Sequence, residues 1–489
     1  MNHALRQTRR IAPAIVAIAL AATLAACATP GHVAPQAKPV DIPAVLPRPA
    51  APLAIDDTWW TAYGDATLDA LVARGLSGNP SLAVVRTRVE RASAAVGEAD
   101  AQRQPRVDAN ADATRERFTG TGLVSPRVAG SSQTIADLGL RGSWEIDVFG
   151  KHRALLDAAI GSQRAADADF QAARVLLAAN IVHQYVQLAR LVDQRAILAR
   201  TLAQREEVLA LVRQRVDAGL DTAVELRQGE GAVPEIRVAL DQADEQAEIA
   251  RDALAALTGQ GPDALRGLSP RLAVVKAVPL PDDIPADLLG RRADITAARW
   301  RVEAATRDLK AARAEFYPSV NLLAFAGFSS IGLDSLLHAD SRQLGVGPAI
   351  SLPIFDAGRL RANYKAKSSD VDGAVETYNA AVIEALRDAA DALASVRHVD
   401  VQRTEQARAL DSAEQAYDLA AQRYGNGLGS YLTVLAAETN VLAQRRVDAD
   451  LKARALDSQA QLARALGGGY VRPDAVETQV RVALAGERR

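Results

Sequence analysis

Two stretches of this chain carry a long, unbroken helical pattern. Residues 152–215 contain no proline and a single glycine, Gly161, and the run from about Arg359 to Tyr424 is again proline-free, with only Gly373 inside. As one helix the first would extend about 96 Å, well beyond ordinary globular lengths. Its apolar positions recur every seven residues at Val175, Val182, Ala189, Ala196, Ala203 and Ala210, with Tyr185 and Val192 on the matching d positions. The second run repeats this with Val375, Val382, Ala389 and Val396, and with Tyr378, Ala385, Ala392 and Val399. A heptad seam of mostly small residues predicts closely packed helices.

Before each long helix the period drops to two. In 138–148, Leu138, Leu140, Trp144, Ile146 and Val148 oppose Arg141, Ser143, Glu145 and Asp147; in 107–114, Val107, Ala109, Ala111 and Ala113 oppose Asp108, Asn110, Asp112 and Thr114. Residues 344–354 place Leu344, Val346, Ile350, Leu352 and Ile354 on one face. Residues 319–328 are apolar on both faces, which leaves their register open, and Pro348 and Pro353 weaken the ladder at 344–354. Strands are therefore predicted at about 105–117, 137–149, 318–328 and 343–355. Their one-sided polarity fits a transmembrane barrel with an aqueous lumen and equally fits half-buried strands of a soluble sheet.

The pattern occurs twice because the chain is duplicated. Arg88-Val89-Glu90 and Pro105 recur at an offset of 213 as Arg301-Val302-Glu303 and Pro318. Gln214-Arg215-x-x-x-Gly219-Leu220 recurs at an offset of 208 as Gln422-Arg423-x-x-x-Gly427-Leu428, and Glu230 and Glu438 keep that register. The two repeats span 57–261 and 286–469, joined by a proline-rich linker over 262–285, and a polar tail covers 470–489.

The N-terminus reads as a targeting segment. Arg6, Arg9 and Arg10 precede a mostly apolar run of sixteen residues, Ile11–Ala26, short for a membrane span of about 20 and typical of a secretory signal. It ends Leu24-Ala25-Ala26-Cys27, which resembles the lipobox of bacterial lipoproteins and implies cleavage of 1–26 and lipidation of Cys27, the only cysteine. Ala28 in the next position implies, on the same resemblance, sorting to the outer membrane. Residues 27–56, with seven prolines from Pro30 to Pro52, predict an extended, lipid-anchored tether with a reach of at most about 90 Å.

Composition excludes more than it selects. A net charge of −2, falling to −5 when the signal takes three arginines with it, excludes a binder driven by bulk attraction to nucleic acid. One cysteine and six scattered histidines offer no metal motif, and no P-loop or G-x-S-x-G elbow occurs; no enzyme, metal or cofactor beyond the Cys27 lipid is expected. Four strands cannot close a transmembrane barrel, whose smallest forms have about eight, and open edges are not tolerated in lipid. A membrane-inserted chain of this kind must oligomerise.

At this point several motifs are similar to a known family. Trp59-Trp60, Asn79-Pro80, Trp144-Glu145-x-Asp147-x-Phe149-Gly150, Phe316-Tyr317-Pro318-Ser319, Leu352-Pro353-Ile354-Phe355-Asp356-x-Gly358-Arg359 and Arg423-Tyr424-x-x-Gly427 resemble, in order and spacing, the outer membrane factors of tripartite efflux systems, the TolC-like channels and among them the lipoprotein (NodT-type) subgroup. The resemblance covers nearly all of 57–468. It implies a mainly α fold with membrane β: a homotrimer with a 12-stranded transmembrane β-barrel, four strands per chain, over a long α-helical barrel that crosses the periplasm. It further implies a passive, gated conduit exporting small toxic molecules such as drugs, docked to a periplasmic adaptor (membrane fusion) protein and an inner-membrane RND-type pump. The strand residues Asp108, Asp112, Glu145 and Asp147 would line or border the lumen. The tip and gate would lie where the long helices turn back, at Asp217, Gly219 and Asp221 and at Tyr424, Asn426, Gly427 and Ser430, with the Tyr424 ring projecting where three copies converge. Some relatives carry an aspartate ring at the neck; Thr433 and Ala436 stand there in this chain, which leaves an acidic gate open, with Asp217, Asp221 and Glu225 as possible substitutes. Two other readings remain at this stage: an outer membrane channel for type I protein secretion, and a periplasmic coiled-coil lipoprotein that never conducts.

Overall fold

The computed structural model describes residues 33–40, 55–276 and 290–470. The signal segment 1–26, Cys27, most of the 27–56 tether, residues 277–285 of the linker and the tail beyond Tyr470 lie outside the described residues. After a short 3-10 helix, Trp59–Tyr63, come α1 (Ala66–Gly78), α2 (Pro80–Ala101), β1 (Arg106–Arg117), β2 (Ser132–Ile146), α3 (Lys151–Asp217) and α4 (Ala223–Leu257). The second copy supplies α5 (Ala293–Ala314), β3 (Ser319–Ile331), β4 (Arg342–Ser351), α6 (Arg359–Gly425) and α7 (Tyr431–Ala465). The duplication is visible in the bounds themselves. Helices α2 and α5 are offset by 213 at both ends, while α3/α6 and α4/α7 are offset by 208 at both ends.

The chain packs as two compact units. One takes in 33–39, 89–166 and 298–378, and the other the remaining described residues. The first unit holds an antiparallel sheet in the order β1-β2-β3-β4. Its register resolves the strand whose faces the sequence left open. Val320, Leu322, Ala324 and Ala326 pair with Ile146, Trp144, Gly142 and Leu140 on one side and with Ile350, Pro348, Val346 and Leu344 on the other. These positions, with Val107, Ala109 and Ala111 of β1, form one apolar face. The opposite face carries Asp108, Asn110, Asp112, Asp137, Arg141, Asn321 and Gln343, and also the apolar Leu323 and Phe325. Pro348 is accommodated because β4 is an edge strand.

Four strand ends differ from expectation by three residues or more: β2 begins earlier, at Ser132, and β3 runs on to Ile331, while β2 and β4 stop early, at Ile146 and Ser351. The chain leaves the ladder at Asp147 because its carboxylate turns to the start of α3, accepting hydrogen bonds from the amides of His152 (3.2 Å) and Arg153 (2.8 Å). Asp356 does the same for α6 through Gly358 (3.0 Å) and Leu360 (2.8 Å). An acidic cap thus anchors the first turn of each long helix, and β2 and β4 lack their last predicted residues, Val148, Leu352 and Ile354 among them.

The second unit is an alanine-rich helical core. Trp59, Trp60 and Tyr63 plug it, packed with Leu68, Val72, Ile181, Val182, Tyr185 and Leu254. Tyr185 donates to Asp65 Oδ2 at 2.5 Å and Tyr63 to the Leu456 carbonyl at 3.0 Å, so both buried hydroxyls are satisfied. The heptad seam largely holds in α6, where Val375, Val382, Ala385, Ala389, Ala392 and Val399 are buried and Tyr378 and Val396 are half-buried. In α3 it does not persist. Val182 and Ala189 are buried, but Ala203 and Ala210 are exposed, and the buried stripe continues through Leu198, Thr201, Arg205, Leu209 and Val212. A straight helix drifts against a strict seven-residue repeat, and the stripe changes phase after Ala189.

Candidate functional site: the helical turns and the sheet face

Both long helices end in the same turn. In the first, the Leu220 amide reaches back to the Arg215 carbonyl (2.8 Å) around Gly219 at φ 72°. In the second, Leu428 reaches Arg423 (2.8 Å) around Gly427 at φ 76°. This is a Schellman-type closure, which needs a left-handed residue and so selects glycine. The return helices are capped alike. Thr222 and Glu225 form a reciprocal capping box on α4, and Ser430 receives the Thr433 amide on α7. Thr433 is thus the counterpart of Glu225, eight residues on from the end of its long helix. Asp217 is exposed, Ala436 is exposed, and the Asn426 side chain donates to the Gln422 carbonyl at 2.9 Å.

On this shared frame the two copies diverge at Asp221 and Tyr424, whose counterparts are Gly429 and Val216. Tyr424 Oη donates to Asp221 Oδ2. Arg215 also grips Asp221, Nε to Oδ2 at 2.9 Å and a second nitrogen to Oδ1 at 3.3 Å, and donates to the Tyr424 carbonyl at 3.3 Å. Its guanidinium lies 4.7 Å from the centre of the Tyr424 ring. The Arg215 side chain holds the Asp221 carboxyl below the usual carboxylate range, helped by Tyr424, while burial and then Asp221 push the Tyr424 hydroxyl up. The ring does not project from the turn as expected. It is 1% exposed, packed inside its own chain against Val212, Tyr431 and Val434. Sequence reasoning named Asp221 and Tyr424 but missed Arg215, whose signal was its place in the repeated Gln-Arg pair.

A second buried charge cluster lies between copies. Arg205 donates to Glu438 Oε2 (2.8 Å), to the Ala232 carbonyl (2.7 Å) and to Glu235 (3.2 Å). Arg205 and Glu438 side chains are both nearly inaccessible, and burial raises the Glu438 carboxyl above its ordinary value despite Arg205.

The four sheet acids divide into two pairs. Asp108 and Asp112 lie on the polar face of β1; Asp108 pairs with Arg106 at 2.8 Å and faces Arg141 across the ladder. Glu145 and Asp147 instead build the junction with α3. Glu145 receives Lys151 at 2.5 Å and stands 3.1 Å from His152 Nε2, and Asp147 is the cap described above. The same junction uses the aromatic residues of the motifs: Trp144 Nε1 donates to the Arg103 carbonyl at 2.9 Å, and Phe149 stacks on Tyr317 at 4.9 Å. On the polar face a concavity of about 530 Å³ is bordered by Asp108, Asp137, Arg141, Phe325 and Gln343. Among the described residues no group of three or more acidic, histidine or cysteine side chains is arranged to hold a metal.

This arrangement of repeats has known relatives. The family described as "Outer membrane efflux protein" matches residues 71–260 and again 284–468. The chain belongs to that family. It is 32% identical over 473 residues to the multidrug resistance outer membrane protein MdtQ of Escherichia coli O6:H1, covering 94% of this chain and 98% of that one. It is 33% identical over 368 residues to the fusaric acid resistance protein FusA of Burkholderia cepacia, covering 73% and 69%. Among solved structures it resembles the outer membrane protein VceC of Vibrio cholerae, with TM-score 0.80, 33% identity and coverage of 87% and 100%, and the outer-membrane channel OprN, with TM-score 0.80, 30% identity and coverage of 90% and 97%. This outer membrane efflux protein is therefore the outer membrane channel of an efflux pump, with a mainly helical fold, a membrane β-segment and a periplasmic extension. Its family is one of transport channels.

Proposed function

We propose that three copies of this chain form a passive, gated conduit that exports small toxic molecules across the periplasm and outer membrane. The reading rests above all on the sheet: one continuous apolar face and two edge strands, β1 and β4, without partners among the described residues. In lipid such edges require partners, and β1 of one copy beside β4 of the next closes a 12-stranded barrel. The apolar face then meets lipid, and Asp108, Asp112 and Arg141 line the lumen. Glu145 and Asp147 hold the barrel to the helices at its base. At the helical turns Tyr424, Asp221 and Arg215 act as a lock on the closed tip. Transport energy comes from the pump, so no catalytic group and no cofactor is required.

The tip also supports an adaptor contact. Leu220 and Val224 in the first copy, and Leu428 and Leu432 at the corresponding positions of the second, are 60–69% exposed. A repeated apolar pair on an otherwise polar turn suits a protein partner, here a periplasmic adaptor that links the conduit to an inner-membrane RND-type pump. Cys27 carries the lipid that anchors residues 27–56, after removal of 1–26. The cargo resembles that of the relatives named for multidrug and fusaric acid resistance. Light scattering corrected for detergent tests the assembly: a three-chain particle is expected, and a stable monomer with formed β-structure contradicts it.

A further inference from the structure

The concavity on the polar face of the sheet is shaped by glycine. Three rows of directly opposed residues cross that face. The first runs Asp108, Arg141, Phe325, Gly345, the second Asn110, Gly139, Gly327, Gln343, and the third Asp112, Asp137, Ser329. Gly139 and Gly327 stand side by side in the middle row, so its centre is bare backbone. Their strands meet too closely for a side chain: a Cβ on Gly327 would lie 2.4 Å from the Leu138 carbonyl oxygen and 2.6 Å from Gly139 Cα. Gly345 gives way to the Phe325 ring, whose Cε1 lies 2.5 Å from where a Cβ on Gly345 would stand. The result is a phenyl ring, 47% exposed, beside a floor without side chains.

The two outer rows carry opposite, unsatisfied charge. Arg106 holds Asp108, at 2.8 and 2.9 Å, and Arg141 has no hydrogen-bond or ion-pair partner among the described residues. Asp112 and Asp137 oppose each other directly, an unfavourable placement for like charges, and neither pairs with a cation among the described residues. Asp137 and Arg141 are four residues apart on β2, about 13 Å, with the glycine floor between them and Phe325 at its side. Water satisfies either charge singly, whereas a phenyl ring left exposed beside them favours an organic occupant. We propose that this depression is a transit site for zwitterionic aromatic compounds, with the carboxylate on Arg141, the ring against Phe325 and the ammonium at Asp137 and Asp112. It rests on the reading of this face as the lumenal one, and it sets one such site per chain on the wall of the conduit. Contacts of this kind are easily made and released, and conduction needs binding favourable enough to enter a site and weak enough to leave it.

Blocking of single channels formed by the full-length oligomer tests it. The probe is para-(aminomethyl)benzoate, a zwitterion, with benzoate and benzylamine as its two halves. The zwitterion is expected to half-block the current at a concentration about tenfold below that of either half. Arg141→Gln should raise the half-blocking concentration of the zwitterion and of benzoate about tenfold and leave benzylamine unchanged. Asp112→Asn with Asp137→Asn should act instead on the zwitterion and benzylamine, and Phe325→Ala should weaken all three about 2–10-fold. None of these side chains is buried, so particle mass by light scattering should be unchanged in every variant. Ligand-observed NMR on the same particles in detergent reads binding without conduction. Probes that neither bind nor block the wild type, or whose order ignores the variants, overturn the site. Binding that follows the variants without any block refutes the lumenal reading, and the transit role with it, while the depression stands as a binding site. A conducting channel with no binding refutes the site and leaves the lumen.

Discussion

Tyr424→Phe removes a single hydroxyl from the turn and asks what that hydroxyl does. In the intact chain it donates to Asp221, which Arg215 also holds. A hydrogen bond to a charged group contributes about 1.5–3 kcal/mol. Asp221 keeps its bond to Arg215, and its side chain is 12% exposed, so the loss falls at the low end, about 1–2 kcal/mol per chain. The phenyl ring still fills the cluster of Val212, Tyr431 and Val434, so the loss of stability is confined to that one hydrogen bond per chain. If three locks release together, the closed state loses about 3–6 kcal/mol, a shift of roughly 10²–10⁴ in the ratio of open to closed; if they release singly, each step shifts about 5–30-fold. Single-channel recording in planar bilayers reads this as a rise in open probability with unit trimer mass. Tyr424→Ala is the poorer probe, since an emptied aromatic site costs about 3–5 kcal/mol in stability and confounds the two effects. A Tyr424→Phe channel with normal open probability refutes the lock and leaves Tyr424 as packing alone.

Acid should act on the same lock. Because Arg215 depresses the Asp221 carboxyl in the folded protein, its contribution is complete at neutral pH and is lost only as pH falls through that depressed value, below the ordinary 3.8; open probability rising already at pH 5–6 contradicts this assignment. Arg205→Leu should destabilise the helical core by about 3–5 kcal/mol, because it strands the buried Glu438 carboxylate, whereas Arg205→Leu with Glu438→Leu should recover most of that loss; calorimetry of both variants checks it, and equal melting temperatures for the two contradict it. Cys27→Ser should abolish incorporation of labelled fatty acid while leaving the fold intact, and label retained in that variant excludes Cys27 as the acylated residue. Leu220→Asp with Leu428→Asp should abolish co-purification with the adaptor while leaving conductance in bilayers unchanged, and undiminished capture locates the contact elsewhere.

Much of this architecture was legible because it is periodic. Long proline-free runs located α3 and α6, alternation located the strands, and the two offsets paired the copies. What escaped was everything set by single side chains turning back on the chain. Asp147 alternates in phase with Arg141 and Glu145 and so reads as a strand residue, yet its carboxylate is committed to the amides of α3. The faces of β3 became clear only from its pairing, since Leu323 and Phe325 share the side of Arg141. The prolines of 27–56 predict extended chain, but no local pattern announces the partner Asp372 of Gln36 and Ala37 from more than 330 residues away. Tyr424 was placed at the turn by motif, while the direction of its ring depended on Arg215 and Asp221 of the other copy.

The account's central claim is that the chain makes a water-filled path through a barrel no single copy can close. Recording from the purified, unboiled wild-type oligomer in a planar bilayer tests that claim most directly. Discrete conductance steps are expected from a particle containing three chains, and none after the particle is dissociated by heat. A three-chain particle that inserts stably yet never conducts would contradict the claim.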